Sequence, residues 1–231
     1  MLCLHVAWQA GRRETATRFV IARASAALVP SSYTALAGHE ARVVFAAFSA
    51  DGRRLATSGE DDTARVWDAA TGELLATLHG HENTVRSVMF SPDGTRVVTA
   101  SNDATGELWN TSDWTSLGVL EGHEEEVNTA AFSADGARVV TASLDRTARV
   151  WDASTGASLF TLEGHEHNVW TACFSADGAR VLTGSVDRTA RLWDASTGAP
   201  LAVLAGHAGT VWSARFSPDG TRVLTASEDG T

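Results

Sequence analysis

GHEEEVNTAAFSADGARVVTASLDRTARVWD, residues 122–152, decides how the whole chain is read. It opens on Gly-His and closes on Trp-Asp. Gly-His recurs at 38, 80, 122, 164 and 206, and Trp67, Trp109, Trp151 and Trp193 close the matching frames, so both series step by 42 residues without an insertion. A fixed period of this length marks a repeat architecture. Inside the stretch, 127–132 is a short apolar run with β-branched and aromatic members. Ser133-Ala134-Asp135-Gly136 follows as a turn, since Asp bonds its own backbone and Gly accepts positive φ. Residues 138–143 and 147–151 predict a second and a third strand, and 158–162 a fourth. Four short strands joined by tight turns make an antiparallel meander. The strands do not alternate cleanly between apolar and polar, so both faces are expected to be buried. A sheet buried on both faces needs neighbours, and repetition supplies them.

The Gly-His…Trp-Asp frame, the Ser91-Pro92-Asp93-Gly94 and Ser217-Pro218-Asp219-Gly220 turns and the D-x-T-x-x-x-W segment resemble the WD40 repeat family, over residues 33–231. The resemblance implies an all-β propeller with four complete four-stranded blades and one partial blade. It also implies a hydrogen-bonded tetrad in each complete blade. The sets are His39, Thr57, Asp61 and Trp67; His81, Thr99, Asp103 and Trp109; His123, Thr141, Asp145 and Trp151; and His165, Thr183, Asp187 and Trp193. Physically, a buried carboxylate needs donors and an indole N–H needs an acceptor. Such a network fixes loops and is not a reaction centre. Threonine, histidine and aspartate suggest a catalytic triad, but fourfold recurrence beside a tryptophan favours structure, and no catalytic residue is expected. The pairs His79/His81 and His165/His167 each contain a Gly-His histidine already used, so no metal site is expected. No phosphate-loop, dinucleotide, CxxC or nucleophile-elbow motif occurs, and no cofactor is expected.

The 231 residues are 44% hydrophobic and 20% charged, with a net charge of -10. No apolar run is long enough to span a bilayer, so no membrane association is expected and a cytoplasmic location is. The two cysteines, Cys3 and Cys173, cannot form a disulfide framework. Cys173 lies in an apolar run and reads as a small buried thiol. All 18 basic residues are arginine, which together with abundant alanine points to a GC-rich, bacterial genome. Residues 1–32 are distinct: Arg12, Arg13, Arg18 and Arg23 against Glu14 give +3, leaving -13 for the rest. Helical spacing over 12–28 predicts a short amphipathic helix there. This N-terminal extension reads as a remnant of an upstream domain, as a piece of the fold or as a targeting peptide.

Departures from the frame carry the functional signal. Three repeats read Arg65…Asp68, Arg149…Asp152 and Arg191…Asp194, whereas the second reads Glu107…Asn110. The joint loss of cation and anion predicts a charge pair in the other blades; independent drift is the alternative. After Gly-His comes a variable loop that includes Glu82, Glu125 and His167, and one residue beyond the following valine the repeats carry Val44, Arg86, Asn128, Trp170 and Trp212. The resemblance places these on one rim near a central channel. A constant frame with a variable rim suits recognition, with Arg86, Asn128, Trp170 and Trp212 as anchors and Glu82, Glu125 and His167 around them. Packing between blades is the alternative for the tryptophans. Acidic residues such as Glu121 and 124–126 argue against nucleic acid, which requires clustered cations. A protein or peptide partner, with a basic surface as one option, fits better. The expected function is a non-enzymatic interaction scaffold; the alternative is the sensor part of a larger bacterial kinase- or NTPase-linked enzyme.

Closure stays open. The sequence reaches Asp229-Gly230-Thr231 within the fifth repeat, and residues 33–36 stand where an outer strand belongs. In one reading, 33–36 and residues 2–8, with Trp8, complete a five-bladed ring in a 2+2 arrangement. In the other, the chain is an arc of a larger propeller that self-associates through its unfinished blade.

Overall fold

The computed structural model describes residues 19–22 and 33–231, with side chains from residue 35 onward. Every regular element among the described residues is a strand. Strands β1 (Phe19–Ala22) and β2 (Tyr33–Leu36) pair with each other. The first complete blade is β3 (Val43–Phe48), β4 (Arg54–Gly59), β5 (Ala64–Asp68) and β6 (Leu74–Leu78). The second is β7 (Val85–Phe90), β8 (Arg96–Ser101), β9 (Gly106–Asn110) and β10 (Ser116–Leu120). The third is β11 (Val127–Phe132), β12 (Arg138–Ser143), β13 (Ala148–Asp152) and β14 (Ser158–Leu162). The fourth is β15 (Val169–Phe174), β16 (Arg180–Ser185), β17 (Ala190–Asp194) and β18 (Pro200–Leu204). The partial blade holds β19 (Val211–Phe216) and β20 (Val223–Ser227). Each complete blade is an antiparallel meander in sequence order. The expected all-β architecture of four complete blades and one partial blade is what forms.

The turn between the first two strands of a blade shows why the motif recurs. Ser91 Oγ donates to Asp93 Oδ1 at 2.6 Å and accepts the amide of Arg96 at 2.9 Å. The Gly94 amide closes the turn on the Ser91 carbonyl at 2.9 Å, with Gly94 at φ +70°. A positive φ at this place explains the glycine.

Cores lie between blades rather than within them. Val140, Ala142, Val150 and Leu162 of the third blade pack on Val169, Ala172, Val181 and Trp193 of the fourth. The unclean alternation of the strands thus has its reason: each face meets a neighbour. Arginines join the blades at their rims. Arg54, Arg96, Arg138 and Arg180 each donate to a turn carbonyl of the next blade, at Gly94, Gly136, Gly178 and Gly220, over 2.6–2.9 Å. Each guanidinium also lies 5.2–5.5 Å from the ring of Phe90, Phe132, Phe174 or Phe216.

At the N-terminal end, Phe19–Ala22 are extended, which corrects the helix expected over 12–28 for these four residues. Phe-Val-Ile favours a strand, and pairing with Tyr33–Leu36 satisfies the backbone. The register Phe19↔Leu36 repeats that of Ala64↔Leu78. Leu36 packs against Leu55 and Trp67 as an outer strand of a preceding blade would. The place beside β2 that was expected for residues 2–8 is held by β1; residues 2–8 themselves lie outside the described residues. Strand β20 pairs with β19 alone among the described strands.

Candidate functional site

In each complete blade the four predicted tetrad side chains meet. The histidine Nδ1 lies 2.9 Å from Asp61 and 2.7 Å from Asp103, Asp145 and Asp187 in turn. Its Nε2 is 2.7 Å from the hydroxyl of Thr57, Thr99, Thr141 or Thr183. That hydroxyl accepts the indole N–H of Trp67, Trp109, Trp151 or Trp193 at 2.8–3.0 Å. A carboxylate only accepts, so Nδ1 carries the proton of the neutral ring and Nε2 takes the threonine hydrogen. The proton order is therefore fixed from indole to hydroxyl to imidazole to carboxylate.

The aspartates are held ionised. Burial opposes the charge of Asp187 most strongly, but hydrogen bonds from Thr189 and His165, with the interaction of His165, outweigh it and bring the pKa to about 2. Burial lowers the pKa of His39 and His165, and Arg65 and Arg191 add to this, against the opposing pull of Asp61 and Asp187. The four threonines are buried and already bonded on both sides. Their hydroxyls have no room for a substrate, so the triad-like chemistry is occupied in holding the fold. Thr225, His207 and Asp229 repeat the arrangement in the partial blade, with His207 bonded to Asp229 at 3.0 Å and to Thr225 at 2.8 Å.

The charge pair expected between Arg149 and Asp152, and at the equivalent places, does not form. Asp152 Oδ1 caps its own turn, accepting Ser154 N, Ser154 Oγ and Thr155 N at 2.6–2.9 Å. Arg149 instead lies 6.0 Å from the Trp151 ring, and Arg65 sits 3.6 Å from Asp61. Asn110 keeps the capping role in the second blade, accepting Ser112 N at 2.9 Å. Asparagine suffices there because the turn needs an acceptor and not a charge. The Arg-to-Glu change at 107 is a separate matter.

The variable residues are the second residues of β3, β7, β11, β15 and β19, the first strands of their blades, which run side by side. Trp170 and Trp212 form a tilted pair with ring centroids 5.2 Å apart. Trp212 is 48% exposed. Arg86 Nε donates to Asn102 Oδ1 at 2.7 Å, and its guanidinium is 3.9 Å from Glu126. Asn128, grouped with the rim anchors by its place in the repeat, is only 5% exposed and donates to the Val169 carbonyl at 3.4 Å, so it spaces two blades. Glu82, Glu125 and His167 are exposed on the loops after Gly-His. Those loops are pinned from below: Ser143 Oγ donates to the Glu125 carbonyl and Ser185 Oγ to the His167 carbonyl, at 2.9 and 3.0 Å.

Between the fourth and fifth Gly-His loops lies a cavity of about 510 Å³. Glu166, His167, Arg188 and Glu228 line it together with Gly209 and Thr210. No group of three metal-ligating side chains occurs among the described residues. The Cys173 thiol is pushed up by burial and contacts the Ala214 carbonyl at 3.6 Å.

One device escaped the sequence reading: the half-buried interblade arginines. Their signal was present, because Arg54, Arg96, Arg138, Arg180 and Arg222 also recur every 42 residues.

Stacked four-stranded blades with one shared buried network define a protein of the β-propeller repeat class. The model for the WD domain, G-beta repeat, matches residues 30–68, 72–110, 114–152, 156–194 and 198–231, and the chain belongs to the WD40 repeat family. Repeats of this family generally mediate protein–protein interaction and are typically non-enzymatic. No curated protein matches the chain.

Proposed function

We propose that this chain is a non-enzymatic scaffold that docks a protein or peptide on the rim formed by the Gly-His loops and the start of each blade's first strand. The observation that carries the reading is the Trp170–Trp212 pair, a half-buried and an exposed ring in contact at a position that varies along the repeats. Tryptophan and arginine are among the residue types that dominate binding energy at interfaces. Glu82, Glu125, Glu166 and Glu228 give the rim an acidic border, which suits a basic segment of the partner. Peptides rich in arginine and lysine, and matched acidic ones, are titrated against the wild type and an Arg86→Ala/Trp170→Ala/Trp212→Ala variant. The reading expects binding of the basic set, weakened at least tenfold in the variant and reduced by salt. Equal binding by the variant would sink it.

A second reading concerns the partial blade. Leu224 is 73% exposed, whereas its counterparts Val98, Val140 and Leu182 are fully buried. We infer that this face is a docking surface for a second copy of this chain. Sedimentation of a Leu224→Glu variant against the wild type, over a range of concentrations, tests it; unchanged mass for both would dismiss it.

A further inference from the structure

The second blade departs from the others at one buried place. Where β5, β13 and β17 carry Arg65, Arg149 and Arg191, β9 carries Glu107. Glu107 is 6% exposed. Its carboxyl group lies over Gly80, nearer than any side chain at that place could tolerate, and Trp109 flanks it, 3.1 Å from where a Cβ would stand. The guanidinium groups of Arg149 and Arg191 cover Gly122 and Gly164 in the same manner.

The charged groups facing Glu107 are His81, from the loop ahead of β7, and Asp103, from the turn between β8 and β9. Strand β8 places Thr99 opposite it and β10 places Val119 opposite it. No arginine forms an ion pair with it among the described residues. The second blade therefore sets two carboxyl groups where the first sets a guanidinium 3.6 Å from Asp61. An unpaired buried charge is costly, and a second one beside Asp103 more so.

We propose that Glu107 makes the second blade a proton-controlled element of the scaffold, closed when this carboxyl group is neutral and loosened when it ionises. Burial above all raises the Glu107 pKa from its ordinary 4.5, with Asp103 adding to it and Ser116 and His81 opposing. For a carboxyl group raised in the folded state, the stabilisation is complete below 4.5 and is lost as pH rises through the folded value. The effect reaches the rim through one turn: Asn102 adjoins Asp103 and holds Arg86 at 2.7 Å.

Hydrogen exchange of the full chain from pH 5 to 8.5, corrected for intrinsic rates, tests this. The amides of 80–86 and 101–106 are compared with those of 122–128 and 143–148, their counterparts in the third blade. Protection of the second-blade amides is expected to fall relative to the third by about tenfold per unit of Glu107 elevation. Glu107→Gln and Glu107→Arg are both expected to abolish the difference, the arginine being the residue of the other blades. The same relative loss in Glu107→Gln, or equal behaviour of the two blades in the wild type, would overturn the proposal. So would a Glu107 carboxyl resonance that titrates within the ordinary glutamate range.

Discussion

Arg138 Nη2 lies 2.6 Å from the carbonyl oxygen of Gly178, forty residues ahead and one blade away. The same guanidinium stands 5.2 Å from the Phe174 ring. A charged donor, a backbone acceptor and an aromatic face meet where two sheets abut. A hydrogen bond to a charged group contributes about 1.5–3 kcal/mol, and a partly desolvated cation–π contact about 1 kcal/mol. Arg138→Ala is expected to destabilise the chain by about 2–4 kcal/mol on those figures. Arg222 donates no side-chain bond to a following blade among the described residues, and Arg222→Ala is expected to change stability by less than about 0.5 kcal/mol. Urea unfolding of both variants compares them directly.

Thr183→Val tests the tetrad without changing volume much. It leaves the Nε2 of His165 and the indole N–H of Trp193 without their shared partner. Each orphaned buried group costs about 1–3 kcal/mol, so a loss of about 2–5 kcal/mol is expected. Hydrogen exchange is expected to show the loss centred on the fourth blade. A change below about 0.5 kcal/mol would mean the network contributes little to stability.

Acid should unfold the chain in two stages. His39 and His165 have folded pKa values below their ordinary 6.5, so the folded state prefers the neutral rings. Stability is therefore expected to fall as pH drops below 6.5, where the unfolded histidines take up protons first. Asp187, near 2 when folded against 3.8 when free, adds a second decline as pH falls from about 4 towards 2. Replacing His165 with Gln is expected to shrink the upper stage to the His39 share and to weaken the lower stage as well, because His165 helps to lower the Asp187 pKa. Unfolding free energy measured at closely spaced pH values separates the two.

Trp114 sits at φ 61°, in the place that Gly72, Gly156 and Gly198 take in the other complete blades. A bulky residue there is strained, by about 1–2 kcal/mol. Its ring packs against the core between the first two blades, under the guanidinium of Arg54 at 6.0 Å. Trp114→Gly loses the packing and relieves the strain, whereas Trp114→Ala loses the packing alone. Glycine is expected to be the more stable variant by about 1 kcal/mol, read from the two melting curves.

The frame was legible because its residues repeat. Four tetrads could be placed by counting, since each of their members returns at one interval. Counting could not reveal that Arg149 and Asp152 part company. Three residues apart on a strand, they project to opposite faces, and only the turn geometry shows Asp152 to be a cap. Nor could it show that Asn128 is buried while Trp212 is open, because both occupy the same place in the repeat and differ only in what stands beside them. The helix expected over 12–28 failed at Phe19–Ala22 for a related reason: a nearby strand with free backbone groups outweighs a weak helical period.

The Arg138 contact also bears on how such a chain lengthens. Each 42-residue unit carries both halves of the joint, an arginine facing forward and a phenylalanine with a glycine carbonyl facing back. A unit copied in register arrives already able to grip the unit before it and the unit after it. Gene duplication can add or remove blades without any new interface having to evolve, and selection is left free to act on the few rim positions that the joint does not use.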